Sequence, residues 1–399
     1  MKRGVALMAH SGGPTSVINV SMAGAVSQAR NLGCFQSFWG ARFGLEGILA
    51  ENFVDLLSQS ESTLEAVAQA PSSALGTSRL AASAGDLTRV VEIFRRYDIR
   101  YLLYTGGNGS MGTAHQLEQA ASDAGYALQV LGIPKTIDND LLQTDHTPGY
   151  GSAARFFAHA VRDIGEDNRA LPGQVEIVEI LGRNAGWLAA ATSLARQNPD
   201  DAPHLIYLPE LPLPLSKFLS DVESCYRRLG RCVVAVCEGQ LDEHGGSFGA
   251  DSRPGSRGSL AMNLAHRLAR LVTEHLGLRA RSEKPGLLGR SNGAYRSETD
   301  AREAYRCGEA AVEAAEQEFS GVMVTMMRSP GPEYEIQTGL ASLAGVAFQE
   351  KLFPVEWVAS SGNDVLPAFA NYALPFIGPV EPYARLADIG VPSFQEKRP

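Results

Sequence analysis

The order of short apolar runs, glycine turns and helical segments constrains the fold of this chain more than any other feature. Residues 5–9 form a buried-strand pattern that leads into a Gly-Gly-Pro turn and then a helical pattern to about residue 32. Residues 101–104 repeat this order with a second glycine turn and helix, and residues 128–133 form a further strand that ends at a proline. A strand, a glycine turn and a helix in this order predict βαβ units on a parallel sheet.

The middle of the chain repeats this order with a second set of elements. Residues 175–181 alternate in the way a strand does, and a glycine-containing turn then leads into a helical pattern. Phe218, Val222 and Cys225 share one helical stripe, and residues 232–237 form another short apolar run. The sequence therefore predicts the α/β class, as two doubly wound (Rossmann-like) parallel-sheet domains with the active site in the cleft between them.

The same pattern predicts the domain boundaries. Residues 1–149 form the first domain, which is completed by about residues 291–327, and residues 150–290 form the second domain. The pattern weakens after residue 327, where prolines are frequent, so residues 328–399 receive no assignment. In open α/β sheets ligands bind at the carboxyl ends of the strands, so we expect the glycine turns to converge on one cleft.

Composition excludes several classes of function. The formal net charge of -9 makes the 399-residue chain a poor general binder of nucleic acid or anionic membrane. Five cysteines, an odd number without a C-x-x-C pair, argue against a disulfide framework or a zinc site. No apolar run reaches the ~18 residues of a membrane helix, and the run that follows residues 1–3 is too short for a secretory signal. We therefore predict a cytoplasmic protein with no nucleic-acid or membrane partner.

Two glycine-rich turns join a strand to a helix in the first part of the chain. Glycine lets the backbone approach a phosphate, and the following helix offers free N–H groups and a partial positive charge. Either turn alone is equally well explained as a tight turn that needs a positive φ, but two in one sheet favour phosphate binding. The candidate residues are Gly12, Gly13, Gly107, Asn108, Gly109 and Ser110.

The segment PKTIDND at residues 134–140 carries the densest set of reactive side chains. It places Asp138 and Asp140 two residues apart after a strand, beside Lys135 and Thr136. Phosphoryl transfer needs a proton acceptor for the incoming hydroxyl and a holder for the cation on the donor phosphates, and two carboxylates can divide those roles. The alternative explanation is an acidic turn that caps the next helix.

Two further strand ends carry charged residues that suit an acceptor site. Leu181 and Gly182 lead to Arg183, which can bind an anionic acceptor or a developing charge, although most single arginines are simply solvated. Glu238 follows the apolar run 232–237 and can accept hydrogen bonds from sugar hydroxyls, or else cap a helix. Both positions belong to the predicted second domain.

Five motifs stand in the same order as in the phosphofructokinase family. They are GGNGS at 106–110, PKTIDND at 134–140, LGRNAGW at 181–187, CEG at 237–239 and GLLGRS at 286–291. The chain resembles that family from residue 5 to about residue 324, and its opening at 11–19 resembles the pyrophosphate-using branch. The resemblance implies a kinase that transfers a phosphoryl group to a hydroxyl of fructose 6-phosphate or a related sugar phosphate.

The resemblance also implies a role for each candidate residue. By this resemblance the first domain binds the donor and the second domain binds the acceptor. Asp138 is then the base that accepts the hydroxyl proton, and Asn108 and Asp140 belong to the Mg²⁺ site. The implied donor-binding residues are Gly12, Gly13, Arg79, Gly107, Asn108, Gly109, Ser110 and Lys135. The implied catalytic and acceptor-binding residues are Thr136, Asp138, Asp140, Leu181, Gly182, Arg183, Glu238 and, for the remote phosphate, Arg281 and Arg290.

On the donor side the chain departs from the family pattern. Asn108 stands where many members have an acidic residue, and Gly109 and Gly112 stand where pyrophosphate users commonly have aspartate. The loss of two carboxylates frees space for a nucleotide's α-phosphate and sugar, which favours ATP. Lys135 favours pyrophosphate, because ATP-only relatives often have glycine there. We predict ATP as the donor, with pyrophosphate as the alternative.

The acceptor side departs from the family as well. Leu287 replaces a histidine or tyrosine, and Gln174 replaces what is often an arginine, in the pocket expected for the remote phosphate. The acceptor is therefore fructose 6-phosphate, another sugar or polyol phosphate, or a sugar with a different terminal group. Asn108 and Leu287 also leave a second alternative, a non-catalytic regulatory subunit, against which the intact segment 134–140 argues. The resemblance further implies a homodimer or homotetramer whose sites borrow residues from a neighbour.

Overall fold

The computed structural model describes residues 4–246, 248, 263–331, 333–387 and 389, which form helical layers around two sheets. The predictions that concern residues 1–3, and parts of those for 150–290 and 328–399, lie outside the described residues. The strands, in chain order, are β1 (Val5–His10), β2 (Ser37–Ala41), β3 (Phe53–Asp55), β4 (Ile99–Gly106), β5 (Gln129–Pro134), β6 (Val175–Ile180), β7 (Leu205–Tyr207), β8 (Cys232–Cys237), β9 (Ala280–Glu283), β10 (Val322–Arg328) and β11 (Ile336–Ser342).

The larger sheet is built from strands within residues 5–134 and 322–342 and has the order β11-β10-β5-β4-β1-β2-β3. Its five inner strands run parallel, and the edge strands β3 and β11 pair antiparallel with their neighbours. The smaller sheet has the order β7-β8-β6-β9 and is parallel throughout. Parallel strands need crossover connections, and helices supply most of them.

The helices surround both sheets. They are α1 (Ile18–Leu32), α2 (Gly44–Leu49), α3 (Glu61–Gln69), α4 (Ala84–Arg96), α5 (Asn108–Asp123), α6 (Tyr150–Ala170), α7 (Trp187–Ala191), α8 (Leu215–Leu229), α9 (Leu264–Leu276), α10 (Leu288–Ser291), α11 (Glu298–Glu316), α12 (Leu343–Val346) and α13 (Pro367–Ile377), with 3₁₀ turns at Thr192–Ala195 and Val355–Trp357. The helical pattern after residue 186 yields only the short α7 and a 3₁₀ turn. Among the helices of the described ranges, none combines the length and apolar character that a bilayer crossing requires.

Alternate side chains of each inner strand pack into separate cores on the two faces of the sheet. In β1, Val5, Leu7 and Ala9 belong to one core, Ala6 and Met8 belong to another, and all five are buried. Strands covered on both faces need continuous apolar runs, which explains why short apolar runs mark them so clearly in the sequence. The predicted α/β class, with two parallel-sheet domains, is confirmed.

The C-terminal region, to which the sequence pattern assigns no structure, packs on both domains. β11 extends the larger sheet beyond β10, and α12 packs against α5. Further along the chain, Phe353, Phe369 and Phe376 are buried in the same core as Tyr150 and Trp187, which belong to the second domain. The chain that joins these two parts therefore passes from one domain to the other.

Candidate active site

The carboxyl ends of three neighbouring strands of the larger sheet meet at one place. β5, β4 and β1 lie side by side and run parallel, so the turns that follow them leave the same edge of the sheet. Backbone bonds tie these turns together: the Ser11 N–H donates to the Thr105 carbonyl at 2.8 Å, and the Lys135 N–H donates to the Gly106 carbonyl at 3.0 Å. The structure thus brings both glycine turns and the segment 134–140 to one site.

The first glycine turn has a geometry that a side chain would disturb, and the second opens a long helix. Gly12 has a φ of +79°, in the left-handed region that favours glycine. A Cβ on Gly13 would lie 2.7 Å from Nη1 of Arg290, so the guanidinium occupies the space that glycine leaves free. Gly107 is the N-cap of α5, which begins at Asn108. The partly positive N-terminus of a long helix therefore faces the site, where an anion is favoured.

Lys135 ends inside the first glycine turn. Its side chain is buried, and Nζ donates to the carbonyls of Ser11 at 2.9 Å and Gly13 at 2.7 Å. Burial lowers the pKa of Lys135 to about 8, although the nearby carboxylates of Asp138 and Asp140 oppose that shift. An ammonium has three N–H donors, so these two carbonyls leave one for a phosphate oxygen.

Two arginines adjoin the same turn. The Gly12 N–H donates to the Ser78 carbonyl at 3.0 Å, which places the loop that carries Arg79 beside the turn. Burial lowers the pKa of Arg290, and the charge of nearby Arg79 lowers it further. Lys135, Arg79 and Arg290 therefore form a compact group of cations. Arg290, to which the resemblance assigns the remote phosphate, lies beside the donor turn in this chain, and its role at the acceptor stays a prediction.

Asp138 lies at the centre of the site. Its N–H donates to Thr136 Oγ1 at 3.1 Å, which holds the turn of the segment 134–140. Burial raises the pKa of Asp138 to about 7, and the neighbouring Asp140 carboxylate adds to this while Arg183 opposes it. A carboxylate that titrates near neutral pH is well suited to accept a proton as a general base.

Asn108 and Asp140 form a direct pair between the two loops. Asn108 Nδ2 donates to the Asp140 carbonyl at 3.1 Å and to Asp140 Oδ2 at 2.8 Å. The remaining side-chain oxygens, Oδ1 of each residue, are buried and have no hydrogen-bond partner in the described part of the chain. Two such oxygens fit a hard divalent cation, whose preferred ligands are oxygens. The pair therefore suits the Mg²⁺ role that the resemblance implies, with one carboxylate instead of two.

The second domain contributes Arg183 and Glu238 from the ends of two neighbouring strands, β6 and β8. Glu238 Oε1 accepts from the N–H groups of Gly182 and Arg183, both at 3.4 Å, and Arg183 has a φ of +49°. A Cβ on Gly239 would lie 1.5 Å from the Arg183 carbonyl, so glycine is required beside this turn. Burial raises the pKa of Glu238. Glu238 thus shapes the turn that presents the exposed Arg183 side chain.

Comparison with known proteins agrees with this geometry. The family model described as Phosphofructokinase matches residues 5–315, which is most of the chain. The chain belongs to the phosphofructokinase family. The predicted enzyme class, a phosphofructokinase-like phosphotransferase with a hydroxyl acceptor, is thereby confirmed.

Individual relatives carry more specific names. A pyrophosphate–fructose 6-phosphate 1-phosphotransferase from Rhodospirillum rubrum is 39% identical over 398 residues, covering 97% of this chain and 98% of that protein. A crystal structure of a pyrophosphate-dependent phosphofructokinase from Marinobacter aquaeolei matches with a TM-score of 0.85 and 33% identity, covering 96% of this chain and 94% of that one. A sulfofructose kinase from Alkalicoccus urumqiensis is 31% identical over 359 residues, covering 90% of this chain and 89% of that protein.

Two residues expected in the acceptor pocket of this phosphofructokinase lie far from the cleft of their own chain. Gln174 precedes β6 and is 1% exposed, whereas Arg183 follows that strand, and at about 3.3 Å per residue β6 separates them by roughly 20 Å. Arg281 pairs with Glu176 near the same distant end. Because the two ends of a strand face opposite edges of the sheet, a role for Gln174 or Arg281 at an acceptor requires a neighbouring copy and stays a prediction.

The sequence analysis missed one segment of the site, residues 348–351, here named the crossing segment. The Lys351 N–H donates to the Asp140 carbonyl at 2.7 Å, and Lys351 Nζ donates to Asn139 Oδ1 at 3.2 Å. Asn184, next to Arg183, donates to both oxygens of Glu350 at 3.0 and 3.1 Å. The crossing segment therefore bonds to both halves of the cleft. No motif marks it, because its partners are distant in sequence.

A possible metal cluster lies outside this site and does not suit a metal. His204, Cys225 and Cys232 place ligand atoms within 4.8 Å of one another. However, the Val233 N–H donates to His204 Nδ1 at 2.8 Å, so the neutral ring carries its proton on Nε2 and has no second lone pair to offer. Metal binding would require that backbone bond to break. The sequence-based expectation of no zinc site stays a prediction.

Proposed function

We propose that this phosphofructokinase transfers a phosphoryl group from pyrophosphate to a hydroxyl of fructose 6-phosphate. The observation that carries the proposal is the position of Lys135, a buried ammonium between the first glycine turn and the Asp138 and Asp140 carboxylates. With Arg79 and Arg290 beside it, Lys135 forms a compact group of cations. Such a group suits a small, highly charged donor, because close cations offset its phosphate charge.

The names of the relatives support pyrophosphate over the ATP that the sequence analysis favours. The Rhodospirillum rubrum and Marinobacter aquaeolei proteins match almost the whole chain, and both are named as pyrophosphate-dependent enzymes. ATP remains the second candidate because of Gly109. A Cβ built there would meet no described atom within 4 Å, so the face of α5 beside the donor turn has room for the rest of a nucleotide.

The residues of the cleft support a single transfer step. The acceptor hydroxyl oxygen attacks the terminal phosphorus, its proton passes to the Asp138 carboxylate, the bond to the bridging oxygen breaks, and inorganic phosphate leaves. Lys135 and Arg290 are placed to offset charge on the phosphates as they separate, and Arg183 approaches from the acceptor side. Mg²⁺, held through Asn108 and Asp140, would offset further negative charge on the donor.

The acceptor has its own second candidate. Fructose 6-phosphate rests on the names of the pyrophosphate-dependent relatives, whereas the relative from Alkalicoccus urumqiensis is named a sulfofructose kinase. Leu287 supports an altered remote pocket, because an alkyl side chain cannot donate a hydrogen bond to a terminal phosphate. A sugar that ends in a sulfonate is therefore the second candidate acceptor.

A matrix of donors and acceptors tests the proposal. The purified enzyme is assayed with pyrophosphate or ATP against fructose 6-phosphate, sulfofructose and other sugar phosphates, and the position of the new phosphate is determined by NMR. We expect the highest kcat/KM with pyrophosphate and fructose 6-phosphate. A preference for ATP would overturn the donor, a preference for sulfofructose would overturn the acceptor, and no turnover with any pair would favour the regulatory-subunit alternative.

We further propose that the enzyme is a cytoplasmic homo-oligomer, either a dimer or a tetramer. Arg281 is exposed at the end of β9 away from the cleft of its own chain, where a second copy could reach it. Size-exclusion chromatography with light scattering tests the assembly. A monomer with full activity would contradict it.

A further inference from the structure

The crossing segment contains a lysine whose ammonium group is fully used by bonds to the protein. Lys351 Nζ donates to Asn139 Oδ1 at 3.2 Å. It also donates to the carbonyls of Thr144 at 3.2 Å and Asp145 at 2.8 Å. An ammonium has three N–H donors, so these three oxygens occupy all of them. Lys351 therefore holds protein groups together, whereas Lys135 keeps its third donor for a phosphate oxygen.

Asn139, the first of these three partners, lies between Asp138 and Asp140. Its φ of +53° is left-handed, a conformation that asparagine adopts more readily than most residues but that its surroundings must hold. Its side chain is fully buried, with Oδ1 bonded to Lys351 and with Nδ2 donating to Tyr372 Oη at 3.0 Å. Both ends of the amide are thus anchored outside the cleft, while the carboxylates on either side of it belong to the cleft.

The other partners of Lys351 are fixed to the larger sheet. The Asp145 N–H donates to the Met326 carbonyl at 2.8 Å, and the Met326 N–H donates to Thr144 Oγ1 at 2.9 Å, so this turn is bonded to β10. Tyr372 Oη donates to the Asp145 carbonyl at 2.8 Å. Lys351 and Tyr372 therefore meet at a carbonyl whose own residue is bonded to a strand of the sheet.

The backbone of Lys351 extends these contacts to the acceptor side. Its N–H donates to the Asp140 carbonyl at 2.7 Å, and its carbonyl accepts from Trp187 Nε1 at 3.1 Å. Lys351 Nζ also lies 5.1 Å from the centre of a Trp187 ring. Trp187 ends the motif at 181–187, which carries Arg183. One residue thus bonds to the segment that carries the base and to the motif that presents the acceptor-side arginine.

We propose that Lys351 is a positioning residue for phosphoryl transfer, which acts through Asn139 to fix the backbone between Asp138 and Asp140. Tyr372 holds the same amide from its other end. The inference rests on the proposed function for the roles of the two carboxylates, but not for the identity of the donor or the acceptor. A displacement of about 1 Å at a reacting group can cost about 100-fold in rate, so a residue that never touches the substrate can control the reaction.

A double-mutant cycle separates positioning from a general contribution to stability. Lys351→Met replaces the ammonium by an uncharged side chain of similar length. Asn139→Gly keeps the left-handed backbone accessible and removes both anchors. Because Lys351 acts through Asn139, the double variant is expected to lose no more activity than the worse single variant. Two independent contacts would instead give losses that multiply.

Two readouts are taken on every variant. The kcat and the acceptor KM are measured with the donor and acceptor that the wild-type enzyme uses best, and Mn²⁺ binding is followed by EPR without substrates. Circular dichroism verifies folding, and Tyr372→Phe, which keeps the ring, decides the test if Lys351→Met does not fold. Tyr334→Phe is the matched control, since this partly buried hydroxyl donates to Glu303 and not to the segment that carries the base.

We expect kcat to fall by about 10- to 100-fold in Lys351→Met and Asn139→Gly, the usual effect of removing a group that orients a metal ligand, with little change in the acceptor KM. The Mn²⁺ Kd is expected to rise by about 10-fold, and Tyr372→Phe to show a smaller loss of the same kind. A kcat within a few-fold of wild type in folded Asn139→Gly, losses that multiply in the double variant, or an equal loss in Tyr334→Phe would overturn the inference. Failure of the proposed function would appear instead as a wild-type enzyme without turnover, in which the Mn²⁺ titrations still show the coupling of Lys351 to Asn139.

Discussion

The residues predicted for the donor side of the cleft meet within one chain, whereas two of the residues predicted for the acceptor side lie away from the cleft. On the donor side, three turns meet, and Lys135 lies within hydrogen-bonding distance of the first of them, close to Asp138. On the acceptor side, Arg183 reaches the cleft, but Gln174 and Arg281 lie at the other end of β6. The two halves use the same α/β architecture and differ in which end of a strand carries the functional residue.

This difference has a general physical reason. A residue that follows a parallel strand leaves the sheet at its carboxyl edge, where the cleft of the same subunit lies. A residue that precedes the strand lies at the opposite edge of the sheet, away from that cleft. We therefore expect substitutions on the donor side to act on catalysis within each subunit, and those at the distant end of β6 to act through assembly.

The strongest test of the donor side is Asp138→Asn, for which we expect kcat to fall by about 10²- to 10⁴-fold, as general-base removal usually does. The amide keeps the shape of the side chain but cannot accept the hydroxyl proton. The acceptor KM is expected to change far less. Asp123→Asn, at an exposed aspartate at the far end of α5, is the matched control. An Asp138→Asn enzyme within a few-fold of wild type would disprove the assignment.

The pH dependence of kcat/KM tests the same two residues together. Asp138 must be deprotonated to act as a base, so its raised pKa of about 7 predicts a loss of activity as the pH falls through 7. Lys135 must be protonated to attract the donor, so its lowered pKa of about 8 predicts a loss as the pH rises through 8. Each limb approaches tenfold per pH unit. An acidic limb that persists in Asp138→Asn would assign that limb to another group.

The donor itself is tested by Gly109→Asp. The added carboxylate would face the region that only a nucleotide occupies, and two charges about 8 Å apart at an effective dielectric constant of about 20 repel by roughly 2 kcal/mol, or about 30-fold. We expect kcat/KM for ATP to fall by that order and for pyrophosphate to change less. An aspartate in the first turn of a helix is favourable, so the fold should persist.

The control for this charge is Ser122→Asp near the C-terminal end of the same helix. Gly112→Asp is not equivalent, because its Cβ would collide with the Phe348 ring. Equal losses with both donors in Gly109→Asp would show that this face of α5 does not distinguish them.

The sequence predicted the donor side well because its signals are local. Such signals include a glycine with positive φ, such as Gly12, and a short acidic segment after a strand, such as residues 134–140. Both can be recognised from neighbouring residues alone, without any distant contact. The strands β1 and β4 to β6 were equally clear, because burial on both faces demands apolar runs. The fold class and the family were therefore within reach of the sequence.

The remaining features depend on contacts that no local pattern encodes. The crossing segment binds the cleft through a backbone N–H of Lys351 and through Glu350, and any residue has a backbone N–H to donate. The location of Arg290 beside Gly13 depends on how the two domains pack. The donor is similarly hard to predict, because Lys135 favours pyrophosphate whereas the open space beside Gly109 favours ATP. The measured donor specificity decides between the two.

The smallest expected effect concerns the acceptor side, where Leu287→Tyr would add a hydrogen-bond donor. Leu287 is 63% exposed and begins the turn of α10, three residues before Arg290, so the two side chains lie on the same side of that turn. A hydrogen bond to a charged group contributes about 1.5 kcal/mol at the low end, or roughly tenfold. We therefore expect kcat/KM for fructose 6-phosphate to rise by up to that factor relative to sulfofructose.

The neighbouring Leu288→Tyr is the matched control. Leu288 is similarly exposed, but it is two residues before Arg290, a spacing at which side chains on a helical turn do not face each other. It should leave the ratio of the two acceptors unchanged. If Leu287→Tyr instead lowers activity, and the wild-type enzyme already saturates with fructose 6-phosphate at tens of micromolar, near the low end of the usual KM range, then the remote phosphate is fully held without this position. Other residues would then have to hold it, and the exposed Arg281 of a neighbouring copy is the candidate at the distant end of β6.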